Sequence, residues 1–268
     1  MSDTLTAGRA FVAVLRRDLT IYLSYRTRLV SQVLTSAFSL TLFYYVSRLV
    51  HINGLSPRAY FGFVVVGISL IGVLYSSFSI PELVRQELLV GTFDRLLLSP
   101  FGAIRSVIAM SLFPMMFSFV LATLTLGLGC VVFGLHLHWS TVPLAIPVML
   151  LVLMSFLPFG ILFAALTVVV KQGSVGTSWV VALLSIVGGL YFPVSLLPGW
   201  VQTTSRLQPF TAATDLLRHL LVNTSIGESP QTSLLKLVGF AIVLLPGSIL
   251  VLSRAIRFGQ RRGTIIEY

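Results

Sequence analysis

Six stretches of the sequence are apolar over enough residues to cross a lipid bilayer, and this feature limits the fold more than any other. A helix needs roughly 20 predominantly apolar residues to span the hydrocarbon core. The stretches are residues 29–49, 60–80, 106–134, 143–170, 177–192 and 234–253. Hydrophobic residues make up 56% of the chain and charged residues 10%, whereas soluble proteins carry about 25% charged residues. The sequence therefore predicts an all-α polytopic membrane protein with six transmembrane helices.

The basic residues indicate how these spans are oriented, because cytoplasmic loops carry an excess of Lys and Arg. With the N-terminus inside, thirteen of the eighteen basic residues face the cytoplasm. The five outside are Arg48, Arg58, Arg206, Arg218 and Lys236. Both termini are therefore predicted to be cytoplasmic. The net charge of +10 then matches anionic inner-leaflet lipid, so membrane lipid is an expected partner and nucleic acid is not.

Two further segments are expected to lie at a membrane surface. An interfacial helix is predicted over residues 5–28, where apolar residues recur at helical spacing opposite basic ones. These apolar residues are Phe11, Leu15, Leu19 and Tyr22. Residues 193–221 are too apolar for an exposed loop and too often broken by Pro and Gly for one span, which predicts two short re-entrant helices in the outer leaflet.

One strongly polar segment, residues 82–100, separates the second span from the third. Its apolar residues recur at helical spacing, so it can lie along the membrane with its charges facing water. Gly91 permits a sharp change of backbone direction. Thr92 is a suitable N-cap for a short helix starting at Phe93, and Asp94 then lies at the positive end of that helix dipole. The segment is predicted to form a helix–break–helix elbow in the cytoplasm.

The first two spans carry many polar but uncharged side chains, which prefer a protein neighbour or a wet cavity to hydrocarbon. Together with the aromatic residue that ends the fifth span, they provide the candidates for a substrate path. These candidates are Tyr44, Tyr45, Tyr75, Ser76, Ser79 and Phe192. The sequence leaves open whether the polar faces line a route or only pack helices together.

The chain shows no energy source of its own. No ionisable residue lies near the middle of a predicted span, although ion-driven carriers usually need such groups at depth; sodium held by backbone carbonyls alone stays open. The two lysines, Lys171 and Lys236, follow Val170 and Leu235, so the phosphate-binding loop G-x-x-x-x-G-K-[ST] is absent. No cofactor is therefore expected in this chain.

Enzymatic and metal sites are not expected either. Ser195, Asp215 and His219 are the residue types of a hydrolase triad, but no G-x-S-x-G nucleophile elbow occurs. His136 and His138 have no third ligand nearby, and two ligands make a poor zinc site.

Two motifs resemble those of ABC-2 type permeases, the membrane halves of ABC exporters. The first resembles the family's E-x-x-x-G-T-x-x-x-L-x-x-x-P element after the second span, and its residues are Glu87, Gly91, Thr92, Leu96 and Pro100. The second, over residues 188–221, resembles the family's G-x-x-F-P-x-x-x-L-P-x-W … P-[FL]-T … L-R element after the fifth span. The two motifs occur in the family's order.

The resemblance implies that the elbow couples the chain to a cytoplasmic ABC ATPase, which would hold ATP and Mg²⁺ while this chain is not an enzyme. The implied coupling residues are Glu87, Gly91, Thr92, Asp94, Arg95, Leu96 and Pro100. The implied outer gate comprises Gly188, Gly189, Pro193, Leu197, Pro198 and Pro209.

At the level of the whole chain, the resemblance implies a single ABC-2 type transmembrane domain over residues 1–268, in a bacterial inner membrane. The chain would pair with a second copy or a paralogous permease. It would export an amphipathic or lipidic molecule such as a drug, a lipid or a lipid-linked glycan. The alternative is a passive channel or structural membrane scaffold that has no ATPase partner.

Overall fold

The computed structural model of the protein describes residues 12–13, 15–20, 22, 24–49, 56–98, 102–170, 176–224 and 227–261. These residues form helices and turns and contain no strand. The helices after residue 25 are α1 (Arg26–Leu49), α2 (Pro57–Phe78), α3 (Ile80–Val90), α4 (Phe93–Leu98), α5 (Ala103–Phe133), α6 (Val142–Val170), α7 (Thr177–Val187), α8 (Gly199–Leu207), α9 (Pro209–Val222), α10 (Pro230–Gly239) and α11 (Leu245–Arg261). The all-helical prediction is confirmed for the described part of the chain.

Four of the six predicted spans are confirmed as helices long and apolar enough to cross a membrane. They are Pro57–Val90, Ala103–Phe133, Val142–Val170 and Pro230–Arg261. The shortest has 29 residues, and at 1.5 Å per residue it is more than about 40 Å long. These four correspond to the second, third, fourth and sixth predicted spans.

The first and fifth predicted spans are not confirmed. α1 has 24 residues but carries more polar side chains than the other four. α7 has 11 residues, about 16 Å of helix, which is half of a hydrocarbon core. It ends at Gly188 and Gly189, where Gly189 adopts a left-handed conformation with φ 68°. That conformation stops a helix, so α7 ends at Val187, before the predicted boundary at residue 192.

The second and fourth spans form the centre of the bundle. In their most apolar stretches 72% of residues in Pro57–Val90 and 61% in Val142–Val170 are buried, compared with 22% in Ala103–Phe133 and 17% in Pro230–Arg261. α5 packs along α2, and α11 packs along α6. α6 crosses the end of α2 closely at Gly160, where an added β-carbon would overlap the carbonyl oxygen of Ser77.

α2 continues into the predicted elbow with little interruption. Ser79 lies between α2 and α3, and its hydroxyl donates to Ser76 O at 2.8 Å. Pro81 stands in the first turn of α3, where its missing N–H costs nothing. Because proline is compatible with a helix start, the helical path extends to Val90 and not only to the predicted membrane boundary at residue 80.

The last span contains an irregular turn. A π-helix, Phe240–Leu244, lies between α10 and α11, and Pro246 is the second residue of α11. Proline has no N–H and clashes with the preceding helical turn, so the wider π turn accommodates it. The hydroxyl of Ser155 on α6 donates to Leu237 O at 2.9 Å, which anchors this segment to the centre of the bundle.

Tyr22, in the described part of the N-terminal segment, packs against the bundle. The described residues from 12 to 24 are helical, and the Tyr22 ring packs 4.4 Å from the ring of Phe117. The Tyr22 hydroxyl donates to Gln32 on α1, so this polar residue of the first span has a protein partner. The location of residues 5–28 at the membrane surface stays a prediction.

Candidate functional site

The elbow between α3 and α4 is closed by a set of hydrogen bonds around Gly91. Gly91 is left-handed, with φ 71° and ψ 16°, and its N–H donates to Leu88 O at 3.1 Å. The Thr92 N–H donates to Glu87 O at 3.0 Å, which completes a Schellman-type helix end. The Thr92 hydroxyl donates to the Glu87 carboxylate. Three residues of the first motif are therefore in direct contact.

The short helix predicted to begin at Phe93 is confirmed as α4. Arg95 N and Leu96 N donate to Thr92 O at 3.1 and 3.3 Å, so Thr92 begins the helix through its carbonyl group. Phe93 is 1% exposed and, with Leu96 and Leu97, packs against the main core. This burial fixes the helix to the bundle.

The elbow also presents apolar side chains that its own bundle leaves uncovered. Leu89, Val90 and Leu98 are exposed, Leu98 to 88%, and Arg95 and Gly91 are exposed beside them. An exposed apolar group with a charged neighbour is typical of a protein or membrane contact surface. Pro100 and the side chain of Asp94 lie outside the described residues.

At the opposite end of the spans, the two short helices predicted after the fifth span are confirmed as α8 and α9. The predicted gate residues lie at the ends and turns of this outer element. Pro198 precedes α8 and Pro209 begins α9. The Leu197 carbonyl accepts from Gln202 Nε2 at 2.8 Å. Their depth in a bilayer stays a prediction.

The two glycines of the predicted gate allow a close approach. A β-carbon on Gly188 would overlap the ring of Phe210 on α9. Pro193 precedes a 3₁₀ turn, Val194–Leu196, and a β-carbon on Gly189 would meet Val194 Cγ2 at 2.6 Å. The end of α7, the 3₁₀ turn and α9 are therefore packed into one compact element.

A buried arginine joins this outer element to the central helix. Arg218 of α9 is 2% exposed. Its Nε donates to Phe63 O of α2 at 3.0 Å, and its Nη2 donates to Gly189 O at 3.0 Å and to Leu190 O at 2.9 Å. The guanidinium carbon lies 3.3 Å from the centroid of the Phe63 ring. One side chain therefore connects α2, α9 and the turn that ends α7.

The position of Arg218 suits a cation, because the C-terminal end of a helix carries a partial negative charge. Burial lowers the pKa of Arg218 to about 9, and Asp215, whose Oδ1 lies 3.8 Å from Arg218 Nη1, opposes this shift. The guanidinium is thus charged at neutral pH. Burial raises the pKa of Asp215, Arg218 lowers it, and Glu228 raises it further.

The sequence did not identify Arg218 as a packing residue. The positive-inside pattern predicts an outside position for Arg218. The spacing of Asp215, Arg218 and His219 at i, i+3 and i+4 predicts that they pair on one helix face, and the pairing of Arg218 with Asp215 is confirmed. A signal was present, since Leu216, Leu217, Leu220 and Leu221 surround the arginine in the sequence. A basic residue in a segment this rich in leucine is stable in the fold only where hydrogen-bond acceptors converge on it.

The candidates for a substrate path do not share one environment. Tyr44 packs edge-on against Phe61, 5.5 Å between ring centroids. Ser76 is buried, and its hydroxyl donates to Val73 O within α2. Tyr45 and Tyr75 are 60% and 52% exposed. Ser79 bonds within the bend, and Phe192 is half-buried.

In this conformation, Tyr44, Ser76 and Ser79 therefore serve packing and helix geometry, while Tyr45 and Tyr75 are open to a neighbour. Whether any of them contacts a substrate stays a prediction.

The family model of the ABC-2 type transporter matches residues 9–222, from the N-terminal helix to the end of α9. The match includes both the elbow and the outer element. No curated protein matches the chain.

Proposed function

The chain belongs to the ABC-2 type transporter family, and from this membership we propose that it is the membrane subunit of an ATP-driven exporter. As a permease of this family it acts in transport together with an ABC ATPase. The finer proposal is that two permease subunits, either two copies or this chain and a paralogue, move an amphipathic or lipidic molecule outward across a bacterial inner membrane.

The observation that carries the proposal is the construction of the elbow. Its inner side is fixed to the bundle by Phe93, while Leu89, Val90 and Leu98 are uncovered. A buried face gives rigidity, and an exposed apolar face gives a partner a surface to bind. The elbow is thus a rigidly attached contact surface of the described bundle. The positive-inside rule assigns its side of the bundle to the cytoplasm.

The elbow is also connected to the parts of the bundle that a transport cycle would move. α3 continues α2, and α2 carries the Phe63 carbonyl to which Arg218 donates. Movement of the elbow would therefore reach the outer element along one helical path. Packed helices of this kind switch between discrete arrangements, which is the behaviour that alternating access requires.

The sequence supports the proposal that energy is supplied by another chain. The sequence has no loop of the form G-x-x-x-x-G-K-[ST], which is the loop that binds the phosphates of ATP in P-loop ATPases. ATP and Mg²⁺ belong on the partner in this proposal. For the substrate, Tyr45 and Tyr75 offer exposed aromatic surface without charge, which favours an amphipathic molecule over a highly charged one.

Substitution of Gly91 tests the role of the elbow. Gly91 has φ 71°, and an added β-carbon would meet nothing within 4 Å. Gly91→Val therefore introduces backbone strain of about 1–2 kcal/mol, and its β-carbon meets no neighbour. Gly134→Val is the matched control, since Gly134 has φ 66°, open space around it, and lies at the other end of α5.

The experiment uses the full chain with the ATPase that co-purifies in mild detergent, reconstituted into vesicles. We expect Gly91→Val to reduce substrate-stimulated ATPase activity and transport, and Gly134→Val to leave both near the wild-type level. Equal activity of the two variants would refute the role of the elbow. Absence of any stoichiometric ATPase from the purified complex would favour the passive channel or scaffold.

A further inference from the structure

A cleft of about 320 Å³ lies between the start of α5, the last turns of α11 and the end of α4. Two arginines line it, Arg105 from α5 and Arg257 from α11. Leu97, Ile104 and Ile256 supply an apolar wall. The cleft therefore combines positive charge with hydrocarbon surface in one small space.

The two arginines have no acidic partner within the described part of the chain. Both are exposed, and none of the four ion pairs found there involves either residue. Two like charges that line one cleft repel each other, and an anion bound between them removes that repulsion. The arrangement is thus complementary to an anion and not to a cation or a neutral molecule.

The backbone adds to the same preference. Gly102 and Ala103 also line the cleft, and Ala103 is the first residue of a 31-residue helix. The N-terminal end of a helix carries a partial positive charge and N–H groups without intrahelical acceptors. Such an end favours phosphate. The helix end and the two arginines act on the same space.

The position of the cleft indicates which class of phosphate compound it binds. α5 begins and α11 ends at the cleft, and both belong to helices long enough to cross a membrane. The cleft lies on the same side as the elbow, so it is at the level of the inner-leaflet headgroups. A soluble phosphate would leave the half-buried side chains of Leu97 and Ile104 in contact with water, whereas a phospholipid covers them with the first carbons of its acyl chains.

We infer that this cleft binds an anionic glycerophospholipid of the inner leaflet, with Arg105 and Arg257 holding the phosphate. Basic pockets between transmembrane helices on the cytoplasmic side bind such headgroups. Gln260, which also lines the cleft, supplies a further donor of the type that a glycerol or phosphate oxygen accepts. The binding requires that α5 and α11 span the membrane and that the elbow side faces the cytoplasm; it does not require an ATPase partner.

A consequence for transport rests on the proposed function. Leu97 belongs to α4, the proposed coupling helix, and forms part of the cleft wall. A bound lipid contacts α4, α5 and α11 together, which stabilises one position of α4. Stimulation of the partner ATPase is therefore expected to depend on anionic lipid, while the lipid binds whether or not an ATPase is present.

The test measures lipid retention by native mass spectrometry of the full chain in detergent. The probes are dioleoylphosphatidylglycerol, dioleoylphosphatidylcholine and, as a soluble headgroup, glycerol 3-phosphate. We expect selective retention of phosphatidylglycerol, and a roughly thirtyfold loss of affinity in Arg105→Gln/Arg257→Gln, about fivefold for each arginine. The matched control is Arg254→Gln/Arg261→Gln, which removes equal charge from α11 outside the cleft lining.

A second variant tests the cleft without changing its charge. Ser253 lines the cleft on α11, so Ser253→Phe fills part of the space and is expected to reduce retention of phosphatidylglycerol as well. Size-exclusion profiles and circular dichroism check that each variant is folded. Equal losses in the two double variants, equal retention of the two lipids, or full competition by glycerol 3-phosphate would each overturn the inference.

The functional arm separates this inference from the proposed function. ATPase stimulation of the reconstituted complex is compared in vesicles with and without phosphatidylglycerol. If the chain binds phosphatidylglycerol selectively but no ATPase co-purifies with it, the lipid site is supported and the exporter proposal is refuted. If the complex is active but the purified permease retains no phosphatidylglycerol, the exporter proposal is supported and the lipid site is refuted.

Discussion

Replacement of Arg218 by methionine tests whether one buried cation holds the outer element to the bundle. Methionine preserves much of the side-chain length and apolar stem and removes the guanidinium. The change deletes the donors to Phe63 O, Gly189 O and Leu190 O. It also leaves Asp215, 3.8 Å away, without its cation. The turn that ends α7 therefore loses its hydrogen bonds to the side chain at position 218 of α9.

The expected size of the effect follows from the buried groups that lose a partner. Each buried carbonyl left without a donor costs about 1–3 kcal/mol, and Gly189 O and Leu190 O both lie outside a regular helix. Removal of the guanidinium also relieves the cost of burying its charge, which offsets part of this loss. We therefore expect a net destabilisation of about 3–5 kcal/mol, the range found when a buried pair loses one member.

The assay is thermal unfolding of the purified chain in detergent, followed by tryptophan fluorescence. For a chain of this size about 1 kcal/mol changes the melting temperature by 2–4 °C, so Arg218→Met is expected to melt roughly 10 °C below the wild type. Arg218→Lys keeps the charge but loses the planar guanidinium with its several donors. Its melting temperature is expected to lie between those of Arg218→Met and the wild type.

The matched control is Arg206→Met. Arg206 is an exposed arginine of α8 in the same outer element, and a surface substitution of this kind changes stability by less than about 0.5 kcal/mol. If Arg218→Met melts within about 2 °C of the wild type, or no lower than Arg206→Met, then the buried hydrogen bonds do not hold the outer element in place. The reasoning above would then be refuted.

Three further predictions concern other sites. Gly160→Ala should lower the melting temperature by the equivalent of about 1–3 kcal/mol, because its β-carbon overlaps Ser77 O, whereas Gly127→Ala, with open space around it, should be neutral or slightly stabilising; equal melting of the two would contradict the close crossing of α2 and α6. Thr92→Val should weaken the end of α3 by about 1 kcal/mol, because the hydroxyl bonds to Glu87 are lost, and faster amide exchange at residues 88–93 would show it. Burial raises the pKa of Asp215, so this carboxyl stabilises the fold below the ordinary value of about 4 and loses that contribution as pH rises through the folded pKa. The melting temperature of Asp215→Asn relative to the wild type should therefore increase between pH 4 and pH 7.5, and an unchanged difference would refute the assignment.

Several features could be predicted because they depend on residues close together in the sequence. Gly91 and Thr92 predicted the break and the start of α4 at Phe93, and the structure confirms both. The interruptions at Pro193, Pro198, Gly199 and Pro209 predicted two short outer helices in place of one span, and in the structure α8 follows Pro198 and α9 begins at Pro209. Helix ends are determined within a few residues by backbone conformation and by missing N–H groups, so the pattern was sufficient.

Other features could not be predicted, because apolar length alone does not show where a helix ends or which polar group becomes buried. Residues 177–192 are apolar throughout most of their length, yet α7 ends at Val187. Tyr44 and Ser76 were equally good candidates for a path or for packing, and their contacts place them in packing in this conformation. The choice depended on neighbours from other helices.

The sequence by itself therefore determined the helical membrane class, four of the spans and the elbow, since these depend on local hydropathy and backbone rules. Tertiary structure alone decided the role of Arg218, because its acceptors at Phe63, Gly189 and Leu190 are 155, 29 and 28 residues away along the chain. A charged group is stable in a core only where acceptors converge on it, and that convergence arises when the helices pack.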